Sequence, residues 1–190
     1  LNKLGEPIGK QDQYGCALGG MNFLTFNPDE SVECEVVPIT IEMRHRLESC
    51  LTMFYLGGTR SASALLAEQG QNLLQDSRAI AEMKALVASA YELRRQILGD
   101  VDVLGQFLHE GWERKRRMAS GISNSLVDDA YARARAAGAT GGKLLGAGGS
   151  GFLLTYTPPE KQESVRQALS EYRPYDVRLD TIGSTIIYAD

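Results

Sequence analysis

Alternating apolar and polar residues predict sheet in the first part of the chain. Segments 22–26 and 32–36 alternate in this way and flank a turn signal at 27–30, so we predict a β-hairpin. Pro38 ends this hairpin and is predicted to mark the passage between two lobes. Residues 47–56 are largely apolar and stop at two glycines, which favours a buried strand.

Helical periodicity then dominates as far as residue 137. The predicted helices are separated by glycines and lie near 61–70, 73–98, 101–119 and 123–137. Ser123 and Asn124 are predicted to cap the last of these helices. Shorter elements follow, namely a strand at 151–157, a helix at 159–170, and strands at 174–180 and 182–188. We therefore predict an α+β fold in which helices are layered on an antiparallel or mixed sheet.

A glycine-rich stretch at 138–154 interrupts this pattern, and seven of its first fourteen residues are glycine. Glycine loses more backbone entropy on ordering than any other residue, so we do not expect this density to serve packing. Successive exposed backbone N–H groups form a concave anion site, and phosphate is the usual occupant. We therefore predict a phosphate-binding loop, with an idle glycine-rich connection as the alternative.

Two common phosphate motifs do not explain this stretch. Residues 146–151 satisfy G-x-G-x-x-G, but a dinucleotide-binding loop follows a strand and opens a helix. Here the loop is predicted to follow the helix at 123–137 and to open a strand. The chain contains no G-x-x-x-x-G-K-[ST] sequence, so a Walker A loop is excluded.

Composition limits the class of protein. The net charge of −4 argues against a general nucleic-acid or anionic-membrane binder, and no apolar run is long enough to span a membrane. The three cysteines, Cys16, Cys34 and Cys50, are isolated and odd in number, which suits reduced thiols in a cytoplasm. His45 and His109 are the only histidines and neither is near a cysteine pair, so no metal site is predicted.

Charged residues at two places are candidates for substrate chemistry. Asp12 lies between Gln11 and Gln13, where it is predicted to cap a short helix, to accept a proton from a substrate hydroxyl or orient that hydroxyl, or to do both. Four consecutive cations at 114–117 cannot share one helix face, so most are predicted to be solvated. One or two of them are candidates to hold a substrate phosphate. Trp112, just before them, is predicted to be a core anchor.

Two segments resemble a known family. The sequence from Gly142 to Phe152 is similar to the third signature motif of the GHMP kinases, small-molecule kinases that include galactokinase, homoserine kinase and mevalonate kinase. The sequence from Gly9 to Tyr14 is similar to the segment that carries the catalytic aspartate in the sugar kinases of this family. Segments 112–116, 122–124 and 141–143 look closest to the D-glycero-D-manno-heptose 7-phosphate kinase branch, with the fucose kinases next.

The resemblance implies transfer of the γ-phosphoryl group of MgATP to the anomeric hydroxyl of a heptose 7-phosphate in a two-layer, ferredoxin-like domain. Asp12 would be the catalytic residue, as the base or as the group that orients the hydroxyl. The substrate-binding residues would be Gln11, Gln13, Tyr14, Lys143, Lys115 and Arg116. The N–H groups of the loop would support developing charge; the loop comprises Gly146, Ala147, Gly148, Gly149, Ser150 and Gly151. Ser150 stands where many family members have glycine.

The resemblance is incomplete, because the family's glycine-serine nucleotide-binding loop and its N-terminal motif are absent from the sequence. We therefore expect a fragment, inactive by itself, in which 1–40 are the end of an N-terminal lobe and 41–190 are the C-terminal domain. ATP and Mg²⁺ would be bound mainly by the missing lobe. A fucose- or galactose-type kinase and a catalytically silent binding module are the alternatives, and a homodimer is possible.

Overall fold

The computed structural model describes residues 9–58, 67, 70–72, 75–119, 121–146 and 148–188. The predicted helix near 61–70 lies outside these residues except for 67 and 70, and Ala147 of the glycine-rich stretch also lies outside them. None of the helices among the described residues is long and apolar enough to cross a membrane.

Helices and strands are interspersed along the described residues. In chain order they are α1 (Gln11–Leu18), β1 (Asn22–Phe26), β2 (Val32–Val36), α2 (Ile41–Cys50), β3 (Leu51–Tyr55), α3 (Ser77–Gln96), α4 (Val103–Lys115), α5 (Ser125–Ala136), β4 (Gly141–Leu144), β5 (Phe152–Tyr156), α6 (Gln162–Ala168) and β6 (Arg173–Asp176). A short 3₁₀ turn, Pro159–Lys161, leads into α6.

The strands form two antiparallel sheets. β1 and β2 pair as the predicted hairpin, with Asn22 opposite Val36. The remaining strands form a four-stranded sheet in the order β4-β5-β3-β6, in which every pair is antiparallel. Because chain order is β3, helices, β4, β5, α6, β6, this is the βαββαβ arrangement of the ferredoxin-like fold. The predicted α+β class and its ferredoxin-like topology are confirmed.

The predicted strand at 47–56 was wrong in its first half. Residues 41–50 form α2, whose first turn is capped by Thr40 Oγ1, which accepts a hydrogen bond from Met43 N at 3.2 Å. Leu47 and Cys50 are buried and lie three residues apart, on one side of that helix. A short apolar run does not distinguish the end of a buried helix from a buried strand, and here it contains both.

The last predicted strand was also wrong. Residues 182–188 have no strand structure, and the predicted strand at 174–180 shortens to β6. Ile186 and Ile187 are 88% and 95% exposed. A strand requires a neighbour for its N–H and C=O groups, and within the described residues this segment pairs with no strand.

The glycine-rich stretch contains a strand that the sequence analysis missed. Gly141 and Gly142 begin β4, and α4 lies directly against this strand. A Cβ atom on Gly141 would lie 1.7 Å from the carbonyl oxygen of Gly105, and one on Gly105 would lie 2.1 Å from Thr140 Oγ1. Part of the glycine content therefore serves close packing of a helix on a strand, contrary to our expectation.

The main core joins the sheet to α4 and α5. Trp112 is 1% exposed and packs with Phe54, Leu144 and Val127, which confirms it as a core anchor. A second cluster packs Val37, which follows the hairpin, against α2 and β5. Burial of these apolar groups supplies most of the stability, at about 25 cal/mol per Å² removed from water.

Candidate functional site

Asp12 lies in the first turn of α1 and is exposed. The predicted capping role is wrong, because Lys10 occupies the N-cap position and no side chain caps this helix. A carboxylate in the first turn is still favoured by the helix dipole. At the other end, Ser184 holds α1 by donating its N–H to Ala17 O at 3.2 Å and its hydroxyl to Cys16 O at 3.1 Å. The end of the chain thus helps to fix the helix that carries Asp12.

The other predicted residues of α1 do not all face the same way. Gln11 lines a cleft of about 330 Å³. The side chain of Gln13, with its amide oriented so that the nitrogen donates, lies 3.0 Å from Lys10 O and turns back on its own chain. Tyr14 packs edge-on against Phe26, with 6.0 Å between ring centroids. Neither Gln13 nor Tyr14 lines the cleft that Gln11 enters.

Two lysines line the same cleft as Gln11. Lys115 ends α4, and its Nζ donates to the carbonyl oxygen of Gly146 at 3.1 Å. Burial, reinforced by the neighbouring charge of Lys143, lowers the pKa of Lys115 to about 8, while the carboxylate of Asp12 acts in the opposite direction. Burial also lowers the pKa of Lys143, again opposed by Asp12. Asp12 itself does not line this cleft, although its charge acts on both lysines, and the prediction that all three serve one site stays a prediction.

The arginines of the cation run are bound to carboxylates, and each keeps between 31% and 38% of its side chain exposed. Arg114 and Arg117 bind Glu82 at 3.2 and 2.9 Å and lower the pKa of that carboxyl group. Arg116 lies 3.3 Å from Asp128 and also pairs within α4. The run is therefore mainly a set of ion pairs that join α4 to α3 and α5.

The residues 146–151, which we call the glycine loop, connect β4 to β5. The expectation that the loop follows a helix was wrong, but a strand and not a helix follows it, so the dinucleotide-binding arrangement is still absent. Gly146, Gly148, Gly149 and Gly151 have φ values of 79°, 121°, 76° and 111°. Only glycine adopts these conformations readily, so four of the loop's glycines are required by its path.

Neighbouring segments hold the loop in place. Gly149 N donates to Ile122 O at 3.0 Å, and Gly151 N donates to Gly57 O at 3.2 Å. These two N–H groups therefore fix the loop and are not available to a ligand. The N–H groups of Gly148 and Ser150 have no acceptor in the part of the chain that is described, and they remain candidates for an anion.

Asn124, which the sequence identified only as a helix cap, also contacts the glycine loop. Its Oδ1 accepts from Val127 N at 3.0 Å, which confirms the cap, while its Nδ2 donates to Gly149 O at 2.6 Å. One side chain thus begins α5 and holds the glycine loop. The closeness of Asn124 to Gly149 depends on tertiary structure, and no spacing in the sequence indicates it.

The two roles of Asn124 can be separated by substitution. Asn124→Ala removes both bonds and is expected to cost about 0.5–2 kcal/mol through the lost cap. Asn124→Asp keeps the cap acceptor but places an oxygen against Gly149 O. Hydrogen exchange should therefore speed up at Gly149 in both variants, and at the start of α5 only in the alanine variant. Equal acceleration of both segments in the aspartate variant would contradict the division of roles.

Comparison with known proteins identifies the family. Residues 83–174 match the family described as GHMP kinases C terminal. This range runs from within α3 to β6 and includes the glycine loop and both lysines. The chain contains a GHMP kinase C-terminal domain, and the resemblance seen in its motifs is confirmed.

Individual relatives narrow the comparison to sugar kinases. The chain is 28% identical to the D-glycero-alpha-D-manno-heptose 7-phosphate kinase of Campylobacter jejuni over 173 residues, which are 90% of this chain and 51% of that protein. It is 30% identical to the bifunctional fucokinase/GDP-fucose pyrophosphorylase of Arabidopsis thaliana over 181 residues, covering 93% of this chain and 17% of that protein. The chain thus spans about half the length of the first relative and less than a fifth of the second.

A solved structure agrees with this placement. The crystal structure of a D-glycero-D-manno-heptose 1-phosphate kinase from Bacteriodes thetaiotaomicron superposes with a TM-score of 0.64 at 25% identity. The match covers 98% of this chain and 52% of that one. The similarity therefore extends beyond the C-terminal domain to α1 and the hairpin.

Proposed function

We propose that the complete protein transfers the γ-phosphoryl group of MgATP to the anomeric hydroxyl of D-glycero-D-manno-heptose 7-phosphate. The observation that carries the proposal is a cleft lined by Gln11, the neighbour of Asp12, and by two half-buried lysines, one of which is bonded to the glycine loop. A base beside cations and free N–H groups is what phosphoryl transfer to a hydroxyl needs. The similarity to the Campylobacter jejuni enzyme supports this substrate class.

Asp12 and the glycine loop have separate roles in the proposed reaction. Asp12 accepts the proton of the sugar hydroxyl while the hydroxyl oxygen forms a bond to the γ-phosphorus of ATP. The bond between the γ-phosphorus and the bridging oxygen breaks, which releases ADP. The N–H groups of Gly148 and Ser150 stabilise charge on the transferring group. Mg²⁺ supplies further neutralisation of the phosphates. We propose that the nucleotide and the metal are bound mainly by an N-terminal lobe that is not in this chain.

The substrate-binding residues have unequal support. Gln11, Lys115 and Lys143 line one cleft, which is the geometry expected of a sugar-phosphate pocket. The proposed roles of Gln13 and Tyr14 rest on the family resemblance alone. Arg116 is bound to carboxylates, so a substrate would have to displace them before using it.

An apolar surface supports the proposed division into two lobes, with residues 1–40 as the end of the first and 41–190 as the second. A groove of about 570 Å³ lies between β1 and α3, and its lining includes Phe23, Phe26 and Val87. Phe26 is 45% exposed and Val87 is 51% exposed. Val36 of β2 is 71% exposed. We infer that the remainder of the kinase covers this surface, in a cytoplasmic enzyme.

A fucose kinase is the second candidate, and the observation that favours it is the 30% identity to the Arabidopsis thaliana fucokinase. The test is ADP release by the complete gene product with MgATP and heptose 7-phosphate, fucose or galactose. We expect heptose 7-phosphate to give the highest kcat/KM. A preference for fucose or galactose would overturn the heptose assignment.

The same assay tests the catalytically silent alternative. Calorimetry measures whether the complete gene product binds heptose 7-phosphate. If it binds this sugar phosphate but releases no ADP with any of the three sugars, the protein is a binding module and not a kinase. The measurement is decisive only when the upstream glycine-serine loop is present in the gene.

A further inference from the structure

Unlike the arginines beside them, Lys115 and Lys143 form no salt bridge with any residue that the structure describes. Among the described residues, Arg114, Arg116 and Arg117 each form salt bridges. The hydrogen bond that Lys115 makes is to a neutral carbonyl, that of Gly146. Two half-buried ammonium groups without a paired anion are costly, because burial penalises charge and like charges repel.

The backbone imposes this proximity. Lys115 is the last residue of α4 and Lys143 is the third residue of β4. Because Gly105 and Gly141 have no side chains where they meet, the backbone of α4 lies in direct contact with the backbone of β4. The two lysines therefore share a wall of the cleft because of the fold, and not because flexible side chains happened to meet.

We propose that Lys115 and Lys143 together bind one phosphoryl group, and that Lys115 leaves the Gly146 carbonyl to do so. The proposal rests on the kinase function given above and assigns its phosphate site to these lysines and not to Arg116. The charge of the Asp12 carboxylate acts on both lysines, and this single charge balances only one of them. The remaining positive charge favours a dianionic phosphate over a neutral sugar.

Binding at this site should take up a proton. The pKa of Lys115 is about 8 without ligand, so above pH 8 much of the group is neutral. A phosphate dianion favours the charged form and raises the pKa, so the lysine binds a proton as the ligand enters. Below pH 7 Lys115 is already protonated, and this uptake disappears.

Calorimetry tests the site directly. We expect heptose 7-phosphate and inorganic phosphate to bind the complete gene product with proton uptake at pH 8.5, seen as a dependence of the enthalpy on buffer ionisation, and with less uptake at pH 6.5. Lys115→Met should reduce the uptake and weaken binding by about 10- to 100-fold, the effect expected of a lost charged hydrogen bond. Lys84→Met, at an exposed position of α3, is the matched control.

Kinetics distinguish the two sources of the phosphoryl group. If the lysines bind the phosphate already on the sugar, Lys115→Met raises KM for heptose 7-phosphate and leaves the kinetics with fucose unchanged. If the lysines instead bind the γ-phosphoryl group during its transfer, Lys115→Met lowers kcat with both heptose 7-phosphate and fucose. Lys115→Arg should restore part of the loss in either case.

Three results would overturn the proposal: no binding of either phosphate ligand, binding without proton uptake at pH 8.5, or binding unaffected by Lys115→Met. Failure of the kinase proposal looks different. In that case the complete gene product would release no ADP, while inorganic phosphate would still bind with Lys115-dependent proton uptake.

Discussion

Asp12→Asn is expected to lower kcat of the complete gene product by about 10²- to 10⁴-fold, the usual contribution of a general base. The amide keeps the size of the side chain but accepts no proton from the sugar hydroxyl. KM for the sugar should change much less, because the amide still hydrogen-bonds to the hydroxyl. The measurement is steady-state ADP release with MgATP and the preferred sugar.

Asp12→Asn should also change the pH dependence of the residual activity. Removal of the carboxylate takes away the charge that raises the pKa of Lys115 and Lys143, so both pKa values should fall further. The alkaline limb of the residual activity should therefore move to lower pH. Glu33→Gln, at an exposed carboxylate of β2, is the control and should leave kcat unchanged. Full activity of Asp12→Asn would remove Asp12 from the mechanism.

Local sequence signals predicted the elements that local chemistry determines. The alternation on either side of 27–30 predicted the hairpin, and Asn124 predicted the start of α5. The order of strands and helices was sufficient for the α+β class. These features depend on periodicity, turns and caps, which residues a few positions apart establish.

Other features depend on contacts between distant residues and were not predictable in this way. The glycines of the stretch at 138–154 have two functions, since Gly141 permits α4 to approach and Gly146 takes a positive φ. Composition alone does not separate these functions. Residues 182–188 were predicted to be a strand, but a strand forms only where a partner edge exists.

The candidate site shows the same limit. The sequence marked the whole run at 114–117 as candidates for phosphate binding. Tertiary structure divides the run, because Glu82 and Asp128 come from other helices and bind the arginines, while Lys115 is left at the glycine loop. Likewise, hydrogen bonds from Gly149 and Gly151 withdraw two of the predicted anion donors. A sequence motif identifies the loop, and only its neighbours show which of its N–H groups are already hydrogen-bonded.

Gly141→Ala should destabilise the protein by about 1–3 kcal/mol or more, the usual cost of overpacking. The new Cβ would lie 1.7 Å from Gly105 O and 3.0 Å from His109 N, and both contacts are with the backbone of α4. A backbone cannot rotate away as a side chain can, so α4 must shift from β4. Thermal unfolding of the complete gene product measures the effect, at about 2–4 °C per kcal/mol for a domain of this size.

Gly111→Ala on the same helix is the matched control, because its new Cβ would meet only Leu86 Cδ2 at 3.7 Å. This change should stabilise α4 slightly, since alanine is favoured over glycine within a helix by about 0.5–1 kcal/mol. The two substitutions should therefore move the unfolding temperature in opposite directions. A shift of α4 also separates Lys115 from Lys143, so phosphate should bind more weakly to Gly141→Ala even well below its unfolding temperature. Unchanged stability and phosphate affinity in Gly141→Ala would show that the glycine contact does not organise the site.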